Sequence, residues 1–140
     1  MATRITVREI MSKDVVALKP EMDVLQALHV LLRHEISGAP VVDADGQLVG
    51  MLTERDCMKV ALDAAFHQQS GGTVADFMAT DVQTVSAEES VITTARRFYE
   101  ANYLRYPVVD GTGLVGVISR SDVMRTFGEY WKVAWESHEI

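Results

Sequence analysis

Two short motifs in the chain pair a hydroxyl with a carboxylate at the same spacing: Thr53-Glu54-Arg55-Asp56 and Ser119-Arg120-Ser121-Asp122. Each follows an apolar, β-rich run and opens a helical segment, so hydroxyl and carboxylate fall in one helical turn and lie on one side of it. A carboxylate so placed can accept hydrogen bonds from two neighbouring hydroxyls such as those of a ribose, while the hydroxyl meets a phosphate or ribose oxygen. The helix amino terminus adds unpaired amides and partial positive charge suited to phosphate. The same four residues also make a good helix cap with an acid in the first turn, so on the motif itself capping and ligand binding both stay open. Arg55, Arg120 and Arg125 could neutralise phosphates with their guanidinium forks, and each also reads as a solvated surface charge.

Other chemistry finds little support. His29, His34, His67 and His138 are scattered without HxH or HExxH spacing, so no metal site is expected. His34, ending a helix, reads as a cap for carbonyls or a neighbour to phosphate. Cys57 follows Asp56 and reads as a buried, inert thiol; as the single cysteine it has no intramolecular disulfide partner, in keeping with a reducing compartment. No GxGxxG or GxxxxGKS/T loop is present, and no nucleophile, base and orienting group recur in a hydrolase arrangement. The chain therefore reads as a non-enzyme. Gly50 and Gly116, inside strands, mark close backbone approach, and Met11, Met58, Met78 and Met124 read as core filling.

The elements that position the two motifs are written twice. Val7-Arg8-Glu9-Ile10-Met11 recurs as Val74-Ala75-Asp76-Phe77-Met78, an offset of 67 that continues to Pro40-Val41-Val42-Asp43 and Pro107-Val108-Val109-Asp110. One deletion in the next turn makes the offset 66, pairing Leu48-Val49-Gly50 with Leu114-Val115-Gly116 and Asp56 with Asp122. Gln68-Gln69-Ser70-Gly71-Gly72 between the copies has linker composition. Each copy reads as helix turn, strand, helix, strand, turn, strand, helix. Short β-rich runs stand at 15–18 and 82–85. Pro20 and the acids after it are expected to open the next helix in copy one, and Ser86 with Glu89 to form a capping box in copy two. Val24, Leu28, Leu31 and Val91, Ala95, Phe98 show the spacing of one buried helix face. Asp45-Gly46 and Asp110-Gly111 signal hairpins.

Composition bounds the rest. The 140 residues give one compact body or two small units sharing a core, with a single body expected. Thirteen Lys+Arg against 20 Asp+Glu leave a net charge of -7, which disfavours nucleic acid and anionic membranes as partners. No apolar stretch reaches the roughly eighteen residues of a bilayer span, and the first ten residues lack the apolar core of a secretory signal, so the chain as given reads as cytoplasmic.

Two βαββα copies, each with a Pro-Val-Val-Asp strand, a turn, a Leu-Val-Gly strand and a Thr/Ser-x-x-Asp corner, resemble a tandem pair of CBS domains, together a Bateman module, over residues 5 to 127. The resemblance implies an α+β fold in which two βαββα repeats pack by pseudo-twofold symmetry, often as dimeric discs, with adenosine-containing ligands in two symmetry-related clefts. It divides the chain into a first repeat with its helical turn (1–66), a linker (67–73), a second repeat (74–127) and a helical extension (128–140). It also implies that Asp56 and Asp122 hold ribose, assisted by Thr53 and Ser119. Ser37, Gly38 and Ala39, and Arg105 and Tyr106 after Leu104, would present backbone to the adenine edge, Val16 and Thr84 would wall the base, and Arg55 and Arg120 would meet phosphate. The two clefts should differ, since small residues in one answer to Arg105-Tyr106 in the other.

The function this implies is a stand-alone regulatory module that senses AMP, ADP or ATP, with S-adenosylmethionine or NADH behind them, requires no cofactor and signals to an unknown effector protein. A homodimer is expected from Phe127, Tyr130, Trp131, Ala134 and Trp135, an apolar stripe at helical spacing after the second copy. The alternative is a structural interaction dimer without a small-molecule ligand.

Overall fold

A computed structural model describes residues 4–67 and 71–138, the side chains of 67 and 133–138 apart; the 68–70 part of the expected linker lies outside the described residues. In chain order the elements are α1 (Val7–Ile10), α2 (Val24–His34), β1 (Gly38–Val42), β2 (Leu48–Thr53), α3 (Glu54–His67), α4 (Val74–Phe77), β3 (Val85–Ser86), α5 (Val91–Glu100), β4 (Arg105–Asp110), β5 (Gly113–Ser119) and α6 (Arg120–His138). Helices interleaved with antiparallel strand pairs give the expected α+β fold in both copies.

The helices start later than their sequence signals suggest. Asp23, not Pro20, caps α2, its carboxylate accepting from the amides of Leu25 (2.8 Å) and Gln26 (3.3 Å). Ser90, its equivalent, caps α5 through the Ile92 amide at 3.2 Å. The expected box of Ser86 and Glu89 does not form: Ser86 accepts from Glu88 in a turn, and Glu89 instead accepts the Thr94 hydroxyl at 2.6 Å. In each case a small polar residue directly before the apolar helix face wins, because it alone reaches the unpaired amides of that turn.

The β-rich run at 15–18 yields a single bridge residue, Leu18, whereas its counterpart forms β3. Leu18 pairs in parallel with Val41, donating to the Pro40 carbonyl and accepting from the Val42 amide, both at 2.9 Å. In copy two the ladder runs one bond further, since the Ala87 amide donates to the Val109 carbonyl at 2.9 Å. The residue equivalent to Ala87 is Pro20, which has no N–H to give, so the first ladder ends early.

The chain forms two compact units, and their limits do not follow the repeat boundary. One, the first-copy unit, is 15–82; the other, the second-copy unit, joins 1–14 to 83–140. The reason is an exchange of the opening helical turns. In the second-copy unit, α1 donates its Val7 and Arg8 amides to the carbonyls of Glu89 and Ala87 at 2.9 Å, and Ser12 then pairs antiparallel with Val117 on β5. In the first-copy unit, Val74 and Ala75 of α4 donate to Met22 and Pro20 at 2.8 and 2.9 Å, and Ala79 pairs antiparallel with Met51 on β2. Each four-residue turn is closed by a carboxylate reaching back to its cap: Glu9 accepts from the Thr6 amide at 2.6 Å, Asp76 from Thr73 at 2.9 Å.

The crossing segments explain the strand glycines. A Cβ on Gly50 would overlap the Met78 sulfur, and one on Gly116 would lie 2.6 Å from the Met11 sulfur and 2.8 Å from the Ser12 carbonyl. Close approach, as expected, is what these glycines permit.

Each unit has its own cluster of buried apolar residues. Leu18, Val24, Leu31, Val41, Leu52, Cys57, Val60 and Val74 fill the first-copy unit; Val7, Met11, Val85, Val91, Phe98, Tyr106, Val108, Ile118 and Val123 fill the other. Met11 and Met78 pack with these cores, but Met58 and Met124 are 61% and 58% exposed, so two of the four methionines read as core filling are on the surface. They follow Cys57 and Val123 by one residue, and that step of about 100° on a helix turns them off the buried face.

Candidate functional site

In the first-copy unit Thr53 ends β2 and α3 begins at the next residue, so the chain turns sharply from strand to helix. Asp56 Oδ2 accepts from the Thr53 amide (2.9 Å) and hydroxyl (3.0 Å), while Thr53 Oγ1 accepts from the Asp56 amide (3.3 Å). The corner is therefore a reciprocal cap, as one reading of the motif required. That cap uses one carboxylate oxygen. Asp56 Oδ1 has no hydrogen-bond partner among the described residues.

The strand register brings the other first-copy residues to this corner. Gly38 pairs with Thr53 and Ala39 with Leu52, and the Ser37 carbonyl accepts from the Glu54 amide at 2.8 Å, fastening the loop before β1 to the start of α3. Val16 is half-buried two residues before Leu18, the bridge partner of Val41. Arg55 is exposed in the first turn of α3. The structure thus gathers Ser37, Gly38, Ala39, Thr53, Arg55 and Asp56 around one strand-to-helix corner, with Val16 on the segment that leads to Leu18.

The second-copy unit repeats the arrangement with different side chains. Asp122 Oδ2 accepts from the Ser119 amide at 2.8 Å, and Ser119 Oγ accepts from the Asp122 amide at 3.1 Å. Arg105 pairs with Ser119 and Tyr106 with Ile118, and the Leu104 carbonyl accepts from the Arg120 amide at 3.0 Å. Thr84, half-buried, stands directly before β3, whose Val85 pairs with Val108, so it adjoins the Pro107 end of β4. Arg120 folds back to donate to the Tyr103 carbonyl at 2.8 Å.

Two features here were not legible in the motif. Asp122 Oδ1, the oxygen whose counterpart is unpartnered in the first-copy unit, is held by Arg125 Nη2 at 2.5 Å. The Tyr106 ring, only 2% exposed, is a core residue: it packs on Phe98 at 4.8 Å and Tyr103 at 5.3 Å between centroids, with the Arg97 guanidinium 4.9 Å over its face. Its hydroxyl donates to the Arg97 carbonyl, and burial pushes its pKa above the ordinary value. The ring thus fills space in the core of its own unit. Its counterpart is Ala39, so aromatic residues at 98 and 103, where copy one has Leu31 and Ile36, were the signal.

Burial, with Asp56 and Glu54 beside it, also raises the Cys57 thiol above its ordinary pKa of 9.0, which keeps it protonated and unreactive. Among the described residues no group of His, Cys, Asp and Glu could hold a metal ion, and no helix is long and apolar enough to cross a membrane.

The geometry is matched by known proteins. The CBS domain family model matches residues 7–63 and 74–129, one match per copy. An uncharacterized protein of Methanocaldococcus jannaschii is 32% identical over 125 residues, 89% of this chain and 44% of that protein; the chloroplastic CBS domain-containing protein CBSX1 of Arabidopsis thaliana is 30% identical over 148 residues, 86% of this chain and 63% of that protein. This chain therefore spans less than two thirds of either relative's length. Among solved structures, CBSX2 in complex with AMP is 28% identical with a TM-score of 0.79, covering 89% of this chain and 97% of that one. The CBS domain pair of protein MJ0100 in complex with 5'-methylthioadenosine and S-adenosyl-L-methionine is 29% identical with a TM-score of 0.76, covering 90% and 98%. With both copies matched over their strands, corners and following helices, the chain belongs to the CBS domain family.

Proposed function

We propose that this chain is a regulatory module that binds adenosine-containing ligands at its two Thr/Ser-x-x-Asp corners and passes the binding event to an effector protein. AMP, ADP and ATP lead as ligands, with S-adenosylmethionine or NADH behind them, and the module acts as a homodimer without catalysis of its own. The observation that carries this reading is the Asp56 carboxylate: one oxygen is spent on the cap and the other has no partner among the described residues. It stands at a helix start whose amides suit phosphate. Adenosine ligands in the similar CBSX2 and MJ0100 structures support the choice of ligand class. In the second-copy unit Arg105 and Arg120 should make binding depend more on phosphate charge, and hence on salt.

Adenylate at a hundredfold excess over Kd adds about 2.7 kcal/mol to the native state and should raise the melting temperature by roughly 5–10 °C for a chain of this size. Asp56→Ala with Asp122→Ala should fold, melt somewhat lower for want of two caps at about 1 kcal/mol each, and show no rise with AMP or ATP. Calorimetry that finds unchanged adenylate affinity in the double variant removes both aspartates from the site.

A further inference from the structure

The two corners differ in one contact that the shared motif does not contain. Asp122 Oδ1 is occupied by Arg125, three residues on in α6, with the Asp122 side chain 14% exposed and the arginine 65% exposed. In α3 the equivalent position holds Lys59, which is exposed and makes no ion pair among the described residues, and Asp56 Oδ1 stays without a partner. The difference follows from chemistry: guanidinium is a planar fork that matches a carboxylate, whereas an ammonium at the same spacing is a strongly hydrated point charge. A ligand hydroxyl that is to be accepted by Asp122 Oδ1 finds Arg125 already bound there and competes with it.

We propose that Arg125 is a specificity-determining residue of the second-copy corner that selects phosphorylated over unphosphorylated adenosine ligands. This rests on the reading that the corners bind such ligands. An uncharged nucleoside displaces Arg125 and offers its cation nothing in return. A phosphorylated one gives the released guanidinium a new anion beside the helix start, so the cost of breaking the pair is offset. The first-copy corner has no such pair and takes neutral and charged nucleosides on more equal terms. The pair is largely solvated, and contacts of that kind are worth a factor of about two to five in affinity.

The test is titration calorimetry on the full chain with adenosine and with ATP. In an Asp56→Ala background, which leaves only the second-copy corner, Arg125→Gln should strengthen adenosine binding about two- to fivefold and should not strengthen ATP binding. In an Asp122→Ala background, Lys59→Arg should weaken adenosine binding by a similar factor. Adenosine affinity that is unchanged or lower in Arg125→Gln overturns the proposal, as does an equal gain for ATP or an unchanged adenosine affinity in Lys59→Arg. Adenosine binding that Arg125→Gln restores to an otherwise silent Asp56→Ala chain supports it, and continued silence overturns it. If the unaltered chain binds neither nucleoside, the ligand-binding reading itself fails and the selectivity with it.

Discussion

Asp110 shows how far a single side chain is tuned by its neighbours. Its Oδ1 accepts from the Thr112 hydroxyl at 2.6 Å and amide at 2.8 Å, and its Oδ2 from Arg8 at 2.8 Å. These bonds, the Thr112 hydroxyl first, hold its pKa down to about 2 against an ordinary 3.8. Because the folded value is the lower one, the contribution to stability is complete above about pH 4 and is lost as pH falls through 3.8 towards 2. Carboxyl NMR should show Asp110 titrating near pH 2, and Thr112→Val should move it up towards 3.8; an unmoved midpoint would rule out the hydroxyl as the main cause. Arg8 also bridges to Glu88 at 2.7 Å, so one guanidinium ties α1 to the turn before α5 and to the end of β4. The candidate site follows the same rule: Thr53 with Asp56, and Ser119 with Asp122, cap helices first, which leaves Asp56 Oδ1 without a partner among the described residues and Asp122 Oδ1 to Arg125.

At the scale of elements, the exchanged turns place the tightest demands on sequence. Met78 and Ala79 cross β2 at Gly50, and Met11 and Ser12 cross β5 at Gly116. At Gly50 the first obstacle is the flexible end of Met78, with the Ala79 carbonyl at 3.0 Å; at Gly116 a backbone carbonyl, that of Ser12, already stands at 2.8 Å. Gly50→Ala should therefore cost about 1–3 kcal/mol, and Gly116→Ala more, because backbone yields less readily than a methionine. Chemical denaturation of the two variants measures this, and equal or reversed losses would contradict the packing of Ser12 on β5. Pro20 acts at the same scale, ending the first parallel ladder one bond short of its counterpart.

For the whole molecule, the surface of the helix that follows each Thr/Ser-x-x-Asp corner bears on assembly. On α3, Met58, Leu62 and Phe66 are 61%, 51% and 76% exposed at four-residue spacing, one apolar stripe. On α6, Met124 and Trp131 are 58% and 60% exposed, and Trp131 stacks on the half-buried Phe127 at 6.0 Å between centroids. The expected dimer stripe continues to Ala134 and Trp135, whose side chains lie outside the described residues. Apolar stripes of this kind are costly to leave in water. We expect a homodimer in solution, weakened by Phe66→Asp or Trp131→Ser, and light scattering that returns a monomer mass at micromolar concentration would reject it.

The hairpins and the Thr/Ser-x-x-Asp caps are written in the sequence because each depends on residue types within a few positions of one another; the duplication shows when the chain is compared with itself, and Gly50 and Gly116 mark a close approach without naming what approaches. The pairing of a turn with a sheet far along the chain is not written there. α1 and α4 share one pattern, a valine first, an acid third and an apolar residue fourth, so nothing local says that each packs on the opposite copy; long-range backbone hydrogen bonds decide it, with Ser12 pairing on β5 and Ala79 on β2. The same holds for the burial of Tyr106, which depends on Phe98 and Tyr103 meeting it in three dimensions, and for the exposure of Met58 and Met124, since hydrophobicity marks a residue as apolar without saying which side of a helix the core takes. The Arg125 bond to Asp122 is the plainest case: at three residues' spacing the arginine is equally able to reach solvent, and only the positions of the folded helix start and of the carboxylate already held by Ser119 determine that it turns back to the free oxygen.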